Sequence, residues 1–216
     1  DNWQRDVYMR PSFYKADLGI GVRLHNLKDE FCMFVIAYEP YVKNDTNAHV
    51  TISSWRRIDD NVIPARGKVS GAYANSALIK TDANRAGFDE ALVLDNNGHV
   101  SEGSAMNIFM VRDGVLITPP VTDNILEGIT RRSIIELANK ELGLTVLERS
   151  IDRTEVYICE ELFMTGTAAQ ITAVTKIDHH PVGAGVMGPV TTKLRSMYED
   201  VLRGKNKKYE HWNVAV

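Results

Sequence analysis

One lysine stands among small residues in the stretch Arg66-Gly67-Lys68-Val69-Ser70-Gly71-Ala72-Tyr73-Ala74-Asn75-Ser76, with Tyr73 five positions on. A lysine ammonium is strongly hydrated, so burying it is costly and lowers its pKa. A lysine tuned in this way can condense with an aldehyde, as Schiff-base lysines do. A surface lysine flanked by turn glycines would have the same local sequence, so Lys68 has to be weighed with its companions.

Three other small-residue turns carry groups suited to a polar ligand. In Ser101-Glu102-Gly103-Ser104 a carboxylate sits at a strand end. There it can pair with a protonated ring nitrogen or an arginine, or simply be a solvated turn glutamate. Leu126-Glu127-Gly128-Ile129-Thr130-Arg131 opens a predicted helix. Its N-terminus, with a preceding glycine and a hydroxyl, suits a phosphate; Thr130 could equally be the N-cap. Thr165-Gly166-Thr167-Ala168-Ala169 is small enough for backbone N–H groups to approach an anion, or to make a close-packed turn. The six histidines show no ligand spacing such as HxxxH, so no metal is expected. No GxSxG motif offers a serine nucleophile.

The elements that must position these groups follow from periodicity and turn chemistry. Val7-Tyr8-Met9-Arg10-Pro11 alternates and predicts a strand ending at proline. The apolar run Phe31 to Tyr38 predicts a strand buried on both faces, joined to the first through a loop with Gly19-Ile20-Gly21. Glu39 to Asp45, with Tyr41, is turn-rich and is expected at an active-site rim. A strand over Val50 to Trp55 and a helix over Ala72 to Ala86 flank the lysine stretch. Asp95-Asn96-Asn97-Gly98 and Asp113-Gly114 predict hairpins between Ala91–Leu94 and His99–Ser101, and between Asn107–Arg112 and Val115–Thr118. Ile134, Ile135, Ala138 and Leu142 share one face of a helix over Thr130 to Leu142, stopped by Gly143. A strand over Thr145 to Glu148, a short helix over Arg153 to Cys159 and a strand over Leu162 to Thr165 follow. Hairpin segments through Ile177 and Val182, a helix from Val190 to Arg203 and a polar tail ending at Val216 complete an α+β pattern. Repeated strand–helix–strand alternation and a GxGxxG motif are both absent, which argues against a Rossmann domain.

The 216 residues, 44% hydrophobic and 25% charged, are of ordinary globular composition. A net charge of -3 gives no electrostatic basis for binding nucleic acid. Cys32 and Cys159 both sit in apolar segments and are expected to be buried thiols. No apolar run is long enough to predict a membrane span, and the charged start, Asp1 to Asp6, has no signal-peptide core. A cytoplasmic protein is expected.

A lysine, a later glutamate and two phosphate-suited turns, in this order, resemble the fold-type IV pyridoxal-phosphate enzymes, and most of all the branched-chain amino acid aminotransferases. The likeness runs along nearly the whole chain, through Tyr8-Met9-Arg10-Pro11, Ser53-Ser54-Trp55-Arg56-Arg57, Ile63-Pro64, Lys68-Val69-Ser70-Gly71, Tyr73, Asn75-Ser76 and Asp89-Glu90-Ala91. It continues through Glu102-Gly103, Asn107-Ile108-Phe109, Thr118-Pro119-Pro120, Gly128-Ile129-Thr130-Arg131, Gly166-Thr167-Ala168-Ala169 and Gly188-Pro189-Val190-Thr191.

The resemblance implies a fold-type IV large domain over residues 46–216, a hairpin-rich pseudo-barrel with packed helices. Residues 1–45 would be a remnant of the small N-terminal domain and the interdomain segment. It implies pyridoxal 5'-phosphate as cofactor. Lys68 would form the Schiff base and carry the proton between the substrate α-carbon and the cofactor, Glu102 would partner the pyridine nitrogen, and Tyr73 would neighbour the phenolic oxygen. Leu126, Gly128, Ile129 and Thr130, with Gly166 and Thr167, would cradle the phosphate. Thr167 and Ala168 would hold the substrate α-carboxylate, and Tyr8, Arg10 and Tyr41 would let one pocket take both an apolar side chain and glutamate. Arg10 could alternatively be a surface ion-pair residue.

The activity implied is transamination of leucine, isoleucine or valine with 2-oxoglutarate, by a homodimer or higher homo-oligomer acting on small molecules. The alternatives are D-amino acid or (R)-amine transamination, aminodeoxychorismate lyase chemistry, or a fragment that binds the cofactor or dimerises without turnover. Two positions depart from the family pattern: Met106 stands where a glutamate is usual, and Glu127 where proline is commoner. The family's N-terminal domain, which closes the pocket and gives the phosphate an arginine, is expected to be largely absent. Asp1 is then an internal point of a longer protein, and the isolated chain is expected to be impaired or inactive.

Overall fold

The chain divides into two units, Asp1–Pro40 and Tyr41–Val216. The structure, a computed structural model, describes residues 5–214. Asp1 to Gln4 in the charged start, and Ala215-Val216 in the tail, lie outside the described residues.

In the first unit β1 (Val7–Lys15) pairs antiparallel with β2 (Asp29–Ala37), placing Tyr8 opposite Ile36, Arg10 opposite Phe34 and Pro11 opposite Met33. The first strand therefore continues through Pro11 rather than ending there. Both strands of a two-stranded ribbon are edges, so a residue with no N–H can sit in one without breaking a shared ladder. The apolar run does form β2, but it is not buried on both faces: Phe31, Met33 and Ile36 are 51%, 52% and 50% exposed. Within this unit a ribbon has no second layer to cover it. Cys32, on the same strand, is exposed as well, against expectation, while Cys159 is buried.

In the second unit β3 (Ala48–Arg56) leads through an irregular segment to α1 (Tyr73–Arg85), which crosses back to β4 (Glu90–Leu94). The two predicted hairpins follow as β4 with β5 (Val100–Gly103), and β6 (Asn107–Arg112) with β7 (Val115–Thr118). Then come α2 (Ile129–Leu142), β8 (Val146–Glu148), β9 (Glu161–Gly166), β10 (Gln170–Ile177), β11 (His180–Pro181) and α3 (Pro189–Leu202). The sheet runs β5-β4-β3-β10-β9-β6-β7-β8, with β11 on β10. It is mixed: β3 lies parallel to both β4 and β10, and β7 parallel to β8.

Period-two alternation divides the core across this sheet. Ile108, Met110, Leu162 and Met164 enter one cluster with Val50, Leu92 and Ile177. Phe109 and Phe163, stacked at 5.1 Å, enter another with Ile134 and Leu137 of α2 and Leu194 and Val201 of α3. Arg131 ties α2 down: its guanidinium donates to the Pro119 carbonyl at 2.9 Å and to Glu148 at 2.6 Å. Gly143 ends α2 in the left-handed region, φ 61°. The tail is less polar than expected, because Tyr209 is 1% exposed and joins the second cluster. The short helix after β8 is a 3-10 turn over Arg153–Tyr157, opened by a capping box between Asp152 and Glu155.

Candidate active site

Arg57 follows β3 directly and Glu102 lies on β5, with β4 between the two strands. Glu102 is not a solvated turn residue: it is buried, and its Oε1 meets Nη2 of Arg57 at 2.8 Å. Its Oε2 accepts the Asn107 side-chain N–H at 3.1 Å and the Leu126 backbone N–H at 3.2 Å. Asn107 donates in addition to the Leu126 carbonyl at 2.8 Å, joining β6 to the segment before α2. Burial pushes the Glu102 carboxyl up to about 7, although Arg57, the Leu126 N–H and the nearby Lys68 charge all pull it down.

Lys68 lies in the irregular segment before α1 and is exposed rather than buried, since no element of this unit is packed over it. Its ammonium stands 5.6 Å from the centre of the half-buried Tyr73 ring and pairs with no carboxylate among the described residues. The Lys68 ammonium thus lies beside Tyr73 and close enough to act on the Glu102 carboxyl.

The N-cap of α2 is Gly128, with no side-chain capping bond. Thr130 is therefore not the cap. It is buried one residue inside the helix, its hydroxyl 3.3 Å from that of Tyr198. A Cβ at 128 would stand 2.1 Å from Oδ1 of Asn107, so any larger residue there must displace that amide. The contrast with α3 is informative. There the buried Glu161 carboxylate takes the N–H groups of Val190 and Thr191 at 2.9 and 2.7 Å and the Thr191 hydroxyl at 2.7 Å. One helix start carries a carboxylate from the protein itself, and the other is left to solvent or to an anion.

The remaining expected residues are placed as follows. Ile129 is 71% exposed at the first turn of α2. Leu126 and Gly166 are half-buried and Thr167 is exposed. Ala168, in the turn between β9 and β10, accepts the Tyr41 backbone N–H at 3.4 Å. Tyr8 and Arg10 belong to β1 of the first unit. Of the two departures, Met106 is buried in the core and its carbonyl takes the Gly103 N–H at 2.7 Å, while Glu127 pairs with Arg66 at 2.9 Å.

Two residues of this cluster had no role assigned from the sequence: Arg57 appeared only within a motif, and Asn107 only at a strand start and within a motif. A buried glutamate demands a cation, and Arg56-Arg57 directly after an apolar strand was the available signal. The donor set as a whole fits a phosphorylated aromatic aldehyde. It offers an amine for the aldehyde, a phenol beside it, a buried carboxylate for a ring nitrogen and an uncapped helix start for the phosphate.

The family model described as amino-transferase class IV matches residues 1–177. The probable branched-chain-amino-acid aminotransferase of Aquifex aeolicus is 44% identical over 213 residues, 99% of this chain and 68% of that protein. The branched-chain amino acid aminotransferase of Thermobaculum terrenum, solved in its PLP form, superposes with a TM-score of 0.92 at 38% identity, covering 98% of this chain and 69% of that one. The branched-chain aminotransferase of the thermophilic archaeon Thermoproteus uzoniensis, solved with norvaline, gives 0.91 at 38% identity, covering 98% and 69%.

Proposed function

The chain belongs to the amino-transferase class IV family, and from that membership we propose that it moves the amino group of leucine, isoleucine or valine to 2-oxoglutarate with pyridoxal 5'-phosphate as its cofactor. The observation that carries this reading is the buried Glu102, held by Arg57 and by the Leu126 N–H just before α2, with the Lys68 charge near enough to act on it.

When bound, pyridoxal phosphate supplies an electron-withdrawing ring that makes the substrate α-proton acidic. The protein's own groups do the rest. Lys68 is the amine that would hold the aldehyde, and its Nζ would carry the proton to and from the substrate α-carbon. Glu102 in its carboxylate form would keep a proton on the ring nitrogen, and Arg57 favours that form against the burial that raises the carboxyl to about 7. Tyr73 would neighbour the phenolic oxygen. Leu126, Gly128, Ile129 and Thr130, with Gly166 and Thr167, would hold the phosphate through backbone N–H groups and hydroxyls. Thr167 and Ala168 would orient the α-carboxylate and Tyr41 would receive the side chain; Arg10 would meet an acidic side chain by a charge-assisted pair, and Tyr8 an apolar one.

The proposal extends to organisation. Residues 46–216 are the cofactor-binding domain and residues 1–45 the small-domain and connecting segment. The enzyme acts in the cytoplasm as a homodimer or larger homo-oligomer, which the exposed apolar side chains of β2 support. No helix among the described residues is long and apolar enough to cross a membrane.

Absorbance spectra of the chain with added pyridoxal phosphate test the reading. A visible band that Lys68→Ala abolishes, and that fades on adding leucine, is the expected result. A band indifferent to Lys68→Ala would rule out the assignment of the lysine.

A further inference from the structure

Glu90 opens β4 with its side chain fully buried, 0% exposed. A carboxylate in that position needs a cation close by. Lys80 of α1 supplies it: its Nζ lies 2.9 Å from Oε2 of Glu90 and donates to the Asp89 carbonyl at 2.6 Å. The other carboxylate oxygen accepts the Ala91 N–H at 2.8 Å. The same ammonium stands 5.2 Å from the centre of the Tyr41 ring, within the range of a cation–π contact. The Lys80 side chain is only 23% exposed, so water screens this charge weakly. Burial raises the Tyr41 phenol pKa, Glu90 adds to that, and a hydrogen bond with Ser104 pulls the other way. Tyr41 is 43% exposed, with the Lys80 charge over one side of its ring and its backbone N–H joined to Ala168 at 3.4 Å.

We propose that Lys80 and Glu90 are positioning residues for the substrate pocket: Glu90 fixes the Lys80 ammonium, and the ammonium fixes the Tyr41 ring against which the amino acid side chain packs. This rests on the assignment of Tyr41 to the pocket made above. The pair is neutral overall, so it orients the ring without adding net charge. A pocket that must accept leucine and glutamate in turn requires that neutrality, because an uncompensated cation would favour the acidic side chain.

Lys80→Met tests it. The KM for leucine rises about three- to tenfold with kcat within about twofold, the size expected for one partly buried cation–π contact. Lys80→Arg keeps a cation for the ring and stays within about twofold of the parent. In a Tyr41→Leu background, Lys80→Met shifts KM by less than about twofold, because the group it acts through is gone. Calorimetric binding of isocaproate, an unreactive carboxylate with the leucine side chain, follows the same pattern without turnover. If Lys80→Met does not fold, Lys80→Met with Glu90→Gln removes the stranded buried charge and carries the same comparison.

An equal KM rise in both backgrounds, or a fall in thermal stability with KM and isocaproate affinity unchanged, overturns the proposal. Tyr41→Leu that leaves both quantities untouched overturns the assignment of Tyr41 and this inference together. Tyr41→Leu that raises KM, with Lys80→Met raising nothing, overturns this inference alone.

Discussion

Arg57 and Glu102 form a buried ion pair, Nη2 to Oε1 at 2.8 Å, with side chains only 9% and 4% exposed. The arginine is itself anchored, its Nε donating to the Asn124 carbonyl at 3.0 Å. A charge-assisted bond of this kind would not normally leave a carboxyl as high as about 7. Desolvation outweighs the arginine here, so the ionisation of Glu102 is balanced near neutrality and is sensitive to its partner.

Removing that partner is expected to move the balance. Arg57→Gln shifts the acid limb of the kcat/KM profile to higher pH by about one unit or more, since the strongest interaction favouring the carboxylate is lost. A pH–rate series on parent and variant measures it. An unmoved limb would mean that Glu102 does not govern it.

Stability responds to the same group. The folded chain holds the Glu102 proton to about 7 against 4.5 for the ordinary carboxyl, so the folded state binds more protons between those values. The contribution is fully present below about 4.5 and is lost as pH rises through about 7. Denaturant titrations at pH 5 and pH 8 should show the parent losing more stability than Glu102→Gln over that interval.

Glu155 behaves in the opposite sense. Paired hydrogen bonds from Arg149 hold it down to about 2, helped by the Asp152 N–H and Arg112. Its contribution is present above about 4.5 and disappears as pH falls toward about 2. Glu155→Gln is expected to cost roughly 1–3 kcal/mol at pH 7 and almost nothing near pH 2, measured by urea unfolding at both.

Gly128→Ala is a test of the phosphate cradle. The added methyl would meet Oδ1 of Asn107 at 2.1 Å and push away the amide that joins Glu102 to Leu126. Affinity for pyridoxal phosphate is expected to fall about tenfold, equivalent to about 1.4 kcal/mol, while unphosphorylated pyridoxal loses less. Fluorescence titration with the two compounds separates them.

Glu161→Ala removes the carboxylate that caps α3 and leaves two backbone N–H groups and a hydroxyl without their partner. A loss of about 2–4 kcal/mol is expected from stranding several buried donors. Cofactor affinity should stay near the parent value, and thermal melts beside the titration check both.

What was legible in the sequence was local. Asp95-Asn96-Asn97-Gly98 and Asp113-Gly114 specify hairpins by their own turn chemistry, and Gly143 ends a helix whose apolar face is apparent in its spacing. The placement of β3 between β4 and β10 was not legible, because Ala48 meets Val174 only through the tertiary fold. For the same reason the role of Arg57 stayed hidden: it reaches Glu102 across an intervening strand. The expectation for Phe31 to Tyr38 failed in a different way. Apolar runs record what a surface is suited to meet, and within its own unit β2 meets only one neighbour.

The position of β3 also bears on how the chain is made. The strand that leads to Lys68 is flanked on one side by β4 and on the other by β10, which pairs through Val174, Lys176 and Ile177. During synthesis it therefore waits with an open hydrogen-bonding edge while well over a hundred residues emerge. An open apolar edge of that kind is a template for pairing with another nascent chain. A ribosome-bound chain stopped before residue 170 should be protease-sensitive within β3, and protection there should appear abruptly once residues 170–177 have left the exit tunnel.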